Sequence, residues 1–250
     1  MGFFQKGHMG KNLIQQRRGK GSIRFRAPSF RYIGDVRHRA YTDAERSGKV
    51  TGTIVSLEHS SGHYAPIARI RYDDNQEALQ IAPEGVRVGD EVEAGFAADI
   101  ARGNTLPLSQ IPEGTLIYNI ESSPGDGGKF VRTTGLAARI VAKSGKEVAV
   151  LLPSKKQRAF NPLCRATIGL VAGSGRTEKP LLKASTNMFK KMARNKFWPQ
   201  VKGQAMNAVA HPHGGSRSSK KGRPTIAKRF APAGAKVGHI RPRRTGRRKL

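Results

Sequence analysis

Apolar and polar positions alternate in short stretches through the middle of the chain, and both ends lack that pattern. Val50 to Leu57 is rich in β-branched residues and contains a glycine, which predicts a strand that bends. Ile67 to Tyr72 reads as a strand stopped by the turn residues Asp73-Asp74-Asn75, and Glu77 to Ile81 resumes the extended pattern. Val88-Gly89-Asp90-Glu91-Val92 is a turn entering a further strand. Short strands at this spacing predict a small β-barrel over residues 36–105, with Arg102-Gly103-Asn104 and Pro107 at its boundary. A second set follows: Thr115 to Ile120, the Pro124-Gly125-Asp126-Gly127-Gly128 loop, and Ala166 to Val171. Within it, Ala137 to Ala142 and Glu147 to Leu152 flank Lys143-Ser144-Gly145-Lys146 as a hairpin. Leu181 to Met192 predicts a short helix, so a second barrel with that helix occupies residues 106–198. The fold class expected is mainly β, two small barrels in tandem.

Charge changes the picture at the ends. The chain carries 46 Lys and Arg against 17 Asp and Glu, a formal net charge of +29. Residues 1–49 hold 12 basic and 3 acidic side chains, residues 50–150 hold 9 and 13, and residues 151–250 hold 25 and 1. A slightly acidic centre is therefore flanked by strongly basic arms, residues 1–35 and 199–250. Rich in Gly, Pro, Ser, Lys and Arg, these arms bury too little apolar surface to offset the entropy of ordering, so alone they are expected to be disordered. A polyanion that neutralises their self-repulsion is the expected partner, which points to nucleic acid. A membrane partner is disfavoured, since the best apolar run, Val148 to Leu152, is strand-sized. No apolar h-region follows the start, and a single cysteine fits a reducing compartment.

Candidate chemistry is thin. The glycine-rich loop ending at Lys129 has Ser123 and Phe130 where a phosphate-cradling nucleotide loop needs Gly and Ser or Thr. Together with Gly173-Ser174-Gly175, it reads as a tight turn or as backbone that approaches RNA closely. Cys164 reads as a small buried apolar residue. His211-Pro212-His213-Gly214-Gly215 concentrates two of the seven histidines, but no second ligand pair accompanies it and no carboxylate follows Glu178. Pro212 stiffens this motif, its glycines let backbone lie against a ligand, and its imidazoles suit stacking or hydrogen bonding within RNA. Phe197-Trp198-Pro199 is expected to pack on the second barrel, with a stacking face for RNA as the alternative. Three classes of function fit these residues: a structural RNA-binding protein, a histone-like DNA compactor, or a small RNA-acting enzyme using His211 or His213. Tandem barrels favour the first over the second, and missing carboxylates weigh against the third.

The stretch Lys202-Gly203-Gln204-Ala205-Met206-Asn207-Ala208-Val209-Ala210-His211-Pro212-His213-Gly214-Gly215 closely resembles the signature of the universal large-subunit ribosomal protein number two family. Trp198-Pro199 with Val201, Ile111-Pro112 with Gly114-Thr115, Asn119-Ile120-Glu121, the Pro124 loop, and Cys164 with Ala166-Thr167-Ile168-Gly169 match in family order. Arg18, Lys20-Gly21-Ser22, Arg26 and Pro28-Ser29 resemble the archaeal and eukaryotic branch. Ala210 stands where bacterial members have an acid, and Ser216 replaces a third glycine. The resemblance implies an OB-like barrel followed by an SH3-like barrel, with extensions threading large-subunit ribosomal RNA. It also implies a non-catalytic role in subunit joining, tRNA binding and support of the peptidyl transferase region. Neighbouring ribosomal proteins and small-subunit contacts are the further partners expected; no membrane, stable homo-oligomer, cofactor or metal is. Candidate RNA-binding residues are Arg17, Arg18, Lys20, Arg24, Arg26, Lys202, Asn207, His211, His213, Gly214, Gly215, Arg217, Arg241, Arg243, Arg244, Arg247 and Arg248. The expected location is the cytoplasm, in the ribosome.

Overall fold

In the computed structural model, which describes residues 10–217 and 224–239, the alternating stretches pair into a sheet of ten strands. Four form the first barrel: β1 (Lys49–Glu58), β2 (Ile67–Tyr72), β3 (Glu77–Ile81) and β4 (Glu91–Gly95). The register slips between Ile54 and Ser56, which bends β1 as its composition predicts. At Gly52 a Cβ would come within 2.7 Å of the Tyr72 ring, so a side chain there would push β1 off β2. The β2–β3 turn is built by its own residues: Asn75 takes φ of 60°, and Asp74 accepts the Gln76 N–H at 3.2 Å.

The remaining strands are β5 (Thr105–Pro107), β6 (Leu116–Tyr118), β7 (Ala138–Ser144), β8 (Glu147–Leu151), β9 (Gln157–Phe160) and β10 (Arg165–Ile168). Gly145 and Lys146 close the β7–β8 hairpin where the sequence placed it. Strand order is β3-β2-β1-β4-β5-β10-β6-β7-β8-β9, antiparallel except for β4 with β5. The last strand, β10, thus returns between β5 and β6, and the sheet runs unbroken through the expected boundary at 102–107. The first core gathers Ile54, Ile70, Tyr72 and Val92; the second gathers Leu106, Ile117, Ile140, Val150 and Phe160. A third cluster, with Val36, Ile67, Ile81, Tyr118 and Val171, joins residues of both strand sets. Cys164 is fully buried in the second core, and burial pushes its thiol up to about 11.

A network of buried charge lies beside these cores. Arg165 donates to Glu45 at 2.9 Å and to Glu121 at 2.9 Å, and all three side chains are inaccessible to solvent. Arg39 Nε lies 2.8 Å from Glu45 Oε1 at an angle too bent for a hydrogen bond, so that contact is Coulombic. Arg39 also pairs with Asp74. Burial raises Glu45 above the usual carboxylate range, opposed by Arg165 and Arg39. Burial works against the ionisation of Glu121 too, but the Arg165 guanidinium holds it below that range. His38 Nε2 donates to the Asn119 carbonyl at 2.7 Å, and burial beside Arg165 lowers its pKa to about 4.

The chain divides into two compact units, residues 28–182 and residues 1–27 with 183–250. The helix Ala184–Met192 falls in the second of these, although the sequence pattern attached it to the second barrel. All 17 acidic residues lie in the barrel unit beside 20 basic ones; the other unit has 26 basic residues and no Asp or Glu. Among the described residues of the expected arms, only Pro28 and His213 are buried. None of the described helices is long and apolar enough to cross a membrane.

Candidate nucleic-acid interface

The cationic unit starts with the helix Ile14–Gly19, whose opening turn is closed by Gln16 Oε1 accepting the Leu13 N–H at 2.9 Å. Arg17 and Arg18 lie in its last turn, where they complement the helix dipole, and Lys20 caps it. Arg24 belongs to the 3-10 turn Ile23–Phe25, and Arg26 follows it. Asn195 Nδ2 donates to the carbonyls of Ile23 at 2.7 Å and Arg26 at 2.8 Å, tying this turn to the residues after Ala184–Met192. Phe197 packs at 6.4 Å from Phe25 with the Arg24 guanidinium 5.5 Å from its centroid. Lys191 Nζ lies 5.9 Å from the Trp198 ring. The described partners of Phe197 and Trp198 are thus within this unit, and the aromatic pair holds its basic segments together.

Lys202 precedes the 3-10 turn Gly203–Ala205, after which the chain folds back on itself. The Asn207 carbonyl accepts the N–H groups of Ala210 at 2.9 Å and His211 at 3.2 Å. Gly214 N–H donates to the His211 carbonyl at 2.9 Å, and Gly215 N–H to the Met206 carbonyl at 3.1 Å. A Cβ on Gly214 would overlap the Met206 and Asn207 carbonyls, and one on Gly215, at φ of 84°, would come within 2.8 Å of the Ala208 Cβ. Gly214 therefore admits the chain's own carbonyls, and Gly215 admits the Ala208 side chain. Gly203 makes the equivalent provision for His211, since a Cβ there would overlap the imidazole.

The two imidazoles are locked by the loop. His213 N–H donates to His211 Nδ1 at 3.0 Å, and the rings lie 5.0 Å apart at 59°. Nδ1 is thereby an acceptor, which leaves Nε2–H as the donor of a neutral ring. Burial and the neighbouring His213 lower the His211 pKa, so the neutral form holds at physiological pH. His211 and Arg18 line a common cavity of about 350 Å³ together with Leu13, Ile14 and Phe197. This places N-terminal cation and C-terminal motif at one site. Lys20, Arg24, Arg26, Lys202, Asn207 and Arg217 are exposed elsewhere on the unit, whereas His213 is buried. Arg241, Arg243, Arg244, Arg247 and Arg248 lie outside the described residues. Among the described residues, no group of three or more His, Cys, Asp or Glu is arranged to hold a metal ion.

The glycine-rich Pro124 loop proves to be a turn wound on carboxylates. Glu121 accepts the N–H groups of Gly125 and Gly127 at 3.1 Å each, and Asp126 accepts those of Ser122, Ser123 and Gly128. Burial opposes ionisation of Asp126, but the Lys129 ammonium and those N–H groups hold its pKa low. The N–H groups a phosphate would need are spent on the protein's own anions. Sequence reasoning missed Gly203, Asn195 and the buried Glu45–Arg165–Glu121 network. For Gly203, the one available signal was its place inside the motif block.

Two family models match in tandem: the RNA-binding N-terminal domain of ribosomal proteins L2 over residues 8–94, and their C-terminal domain over residues 101–232. The chain belongs to the ribosomal L2 family. It is 49% identical over 239 residues to the large ribosomal subunit protein uL2 of Methanopyrus kandleri, covering 96% of this chain and 98% of that one. The uL2 proteins of Methanococcus maripaludis strain C6 and Methanosphaera stadtmanae are each 48% identical, over 96% of this chain and 100% of theirs. The L2 domain pair accounts for two barrels in series and spans the His211 loop, so the motif lies within the matched C-terminal domain.

Proposed function

We propose that this chain is a structural constituent of the large ribosomal subunit that binds ribosomal RNA. The observation that carries the reading is the cationic unit: 26 basic residues, no carboxylate, and a His211 loop locked in a neutral, hydrogen-bonded form. Such a unit is held by phosphates and contributes fixed donors and stacking faces rather than proton transfer. Its contact set comprises Arg17, Arg18, Lys20, Arg24, Arg26, Lys202, Asn207, the His211–Gly215 loop, Arg217 and the arginines from Arg241 to Arg248. The barrels add shape recognition, and the assembled protein supports subunit association, tRNA binding and the peptidyl transferase region beside neighbouring ribosomal proteins. Its place is the cytoplasmic ribosome. Sedimentation of the tagged chain through a high-salt gradient tests this. It is expected to travel with the large subunit, and its release into the free fraction at moderate salt would refute the reading.

A further inference from the structure

Three segments of the cationic unit, around residues 13–18, 197–211 and 236–238, enclose the cavity that holds His211 and Arg18. About 350 Å³ in volume, it is walled by Leu13, Ile14, Phe197, Met206 and Val237, all half-buried. Lys236 lines it beside Arg18, and both cations are exposed. A second cavity of about 390 Å³ adjoins the first, and Leu13, Ala210 and His211 line both.

The walls are tied to one another. Lys11 N–H donates to the Val209 carbonyl at 2.9 Å, which holds the N-terminal segment on the motif loop. A Cβ on Gly234 would come within 3.0 Å of the Gln16 side-chain amide, so the segment leading to Lys236 packs closely on the first helix. His211 is fixed from two sides: Gly203 lies against its ring, and His213 N–H donates to its Nδ1 at 3.0 Å. Its Nε2–H has no partner among the described residues and is the donor that the junction of the two cavities offers.

The chemistry of the occupant follows from the lining. Half-buried apolar side chains are stabilised by being covered, which suits a ligand with apolar faces. Two cations line the cavity in a unit without Asp or Glu, so the ligand carries negative charge. The imidazole N–H needs an acceptor on the ligand's edge. A nucleotide has all three, whereas an acidic side chain of a protein would meet the cations and leave the apolar wall uncovered. The volume lies near the lower end of the roughly 300–1,000 Å³ range of small-ligand pockets, which suits one base. Duplex RNA keeps its bases stacked inside and offers none. We propose that one unpaired base of the bound RNA inserts here, with an edge acceptor on His211 Nε2–H and its flanking phosphates on Arg18 and Lys236. This rests on the RNA-binding reading above and adds the state of the RNA that the His211 site selects.

The test uses the full chain and three hairpin RNAs that share one stem: fully paired, with one bulged nucleotide, and with that bulge made abasic. The stem supplies phosphates to the cationic unit in all three, and the abasic bulge keeps the backbone without the base. The parent is expected to bind the bulged hairpin about tenfold more tightly than either of the others, within the roughly 5- to 150-fold that one stacked base contributes. Ala210→Leu, which enlarges a residue of the cavity wall, should lose most of that preference. His211→Phe, which keeps a ring but removes the N–H, should lose about fivefold of it, and His211→Gln, which keeps an N–H, should lose less. Limited proteolysis of the RNA-bound variants should give the parent's fragments, which separates a blocked cavity from a misfolded unit. Equal binding of the bulged and abasic hairpins by the parent, or an undiminished preference in Ala210→Leu, would overturn the inserted base and leave the RNA reading standing. Failure of the parent to bind any of the hairpins would remove the reading beneath it.

Discussion

Acid should weaken the barrel unit through His38, and the size of the effect follows from where that side chain sits. Its Nε2–H is committed to the Asn119 carbonyl, and its Nδ1 finds no partner among the described residues to accept from a second proton. Burial, followed by the Arg165 guanidinium, lowers its pKa from 6.5 to about 4, with Glu121 acting in the opposite sense. A histidine that resists protonation when folded but accepts a proton when unfolded contributes its full stability above the unfolded pKa. That contribution is lost as pH falls from 6.5 towards about 4. The shift corresponds to on the order of 3 kcal/mol, a large share of a typical domain's stability. Glu121, also held low, loses stability in the same direction at lower pH, whereas the raised pKa of Glu45 works against the loss. The assay is urea unfolding of the full chain followed by far-UV circular dichroism, whose signal follows the strands themselves, whereas the one tryptophan, Trp198, belongs to the cationic unit. Between about pH 6 and pH 4.5 the parent should lose roughly 1.4 kcal/mol per pH unit more than His38→Gln, whose amide keeps a donor but does not titrate. Parallel pH dependences in the two proteins would show that His38 titrates alike in folded and unfolded chains, and would refute the reasoning.

Cys164, buried with its thiol pushed up to about 11, should resist thiol reagents in native protein and react stoichiometrically once denatured; fast native labelling would contradict its placement. Gly214→Ala should sharply reduce ribosomal RNA binding, because its Cβ would meet fixed backbone carbonyls; Gly19→Ala, with open space around it, should bind normally. Truncation from Gly203 removes 13 of the 46 basic residues and should flatten the salt dependence of RNA binding by several units of slope, measured by filter binding across a salt series. Ribosomes with His211→Ala should assemble less completely, yet those purified whole should show a near-normal peptide-bond rate and an unaltered pH–rate profile, since His211 is already neutral and bound through Nδ1.

Much of the barrel unit was legible because its information is local. Ile67–Tyr72 and Glu77–Ile81 emerge with the bounds that alternation predicts, and the turn between them needs only Asp74 and Asn75 to build it. The β7–β8 hairpin is legible for the same reason: two residues and their flanking pattern specify it. Charge segregation is likewise a property of the chain itself, so the need for a polyanion could be read without coordinates. The His211 motif was visible as a pattern, but its working was not. Only the fold shows that Gly203 and Gly214 are small to admit the loop's own ring and carbonyls, because that demand comes from residues brought close in space. The three-residue strand β5 and the return of β10 beside it were hidden for a related reason. Strands so short carry no period of their own, and their identity comes from partners about 60 residues away. The buried charges are the extreme case. No local pattern around Arg165 or Glu45 marks either as buried, and 120 positions separate them. Their burial is tolerable only because tertiary structure supplies each with an opposite charge, a condition that no local pattern encodes.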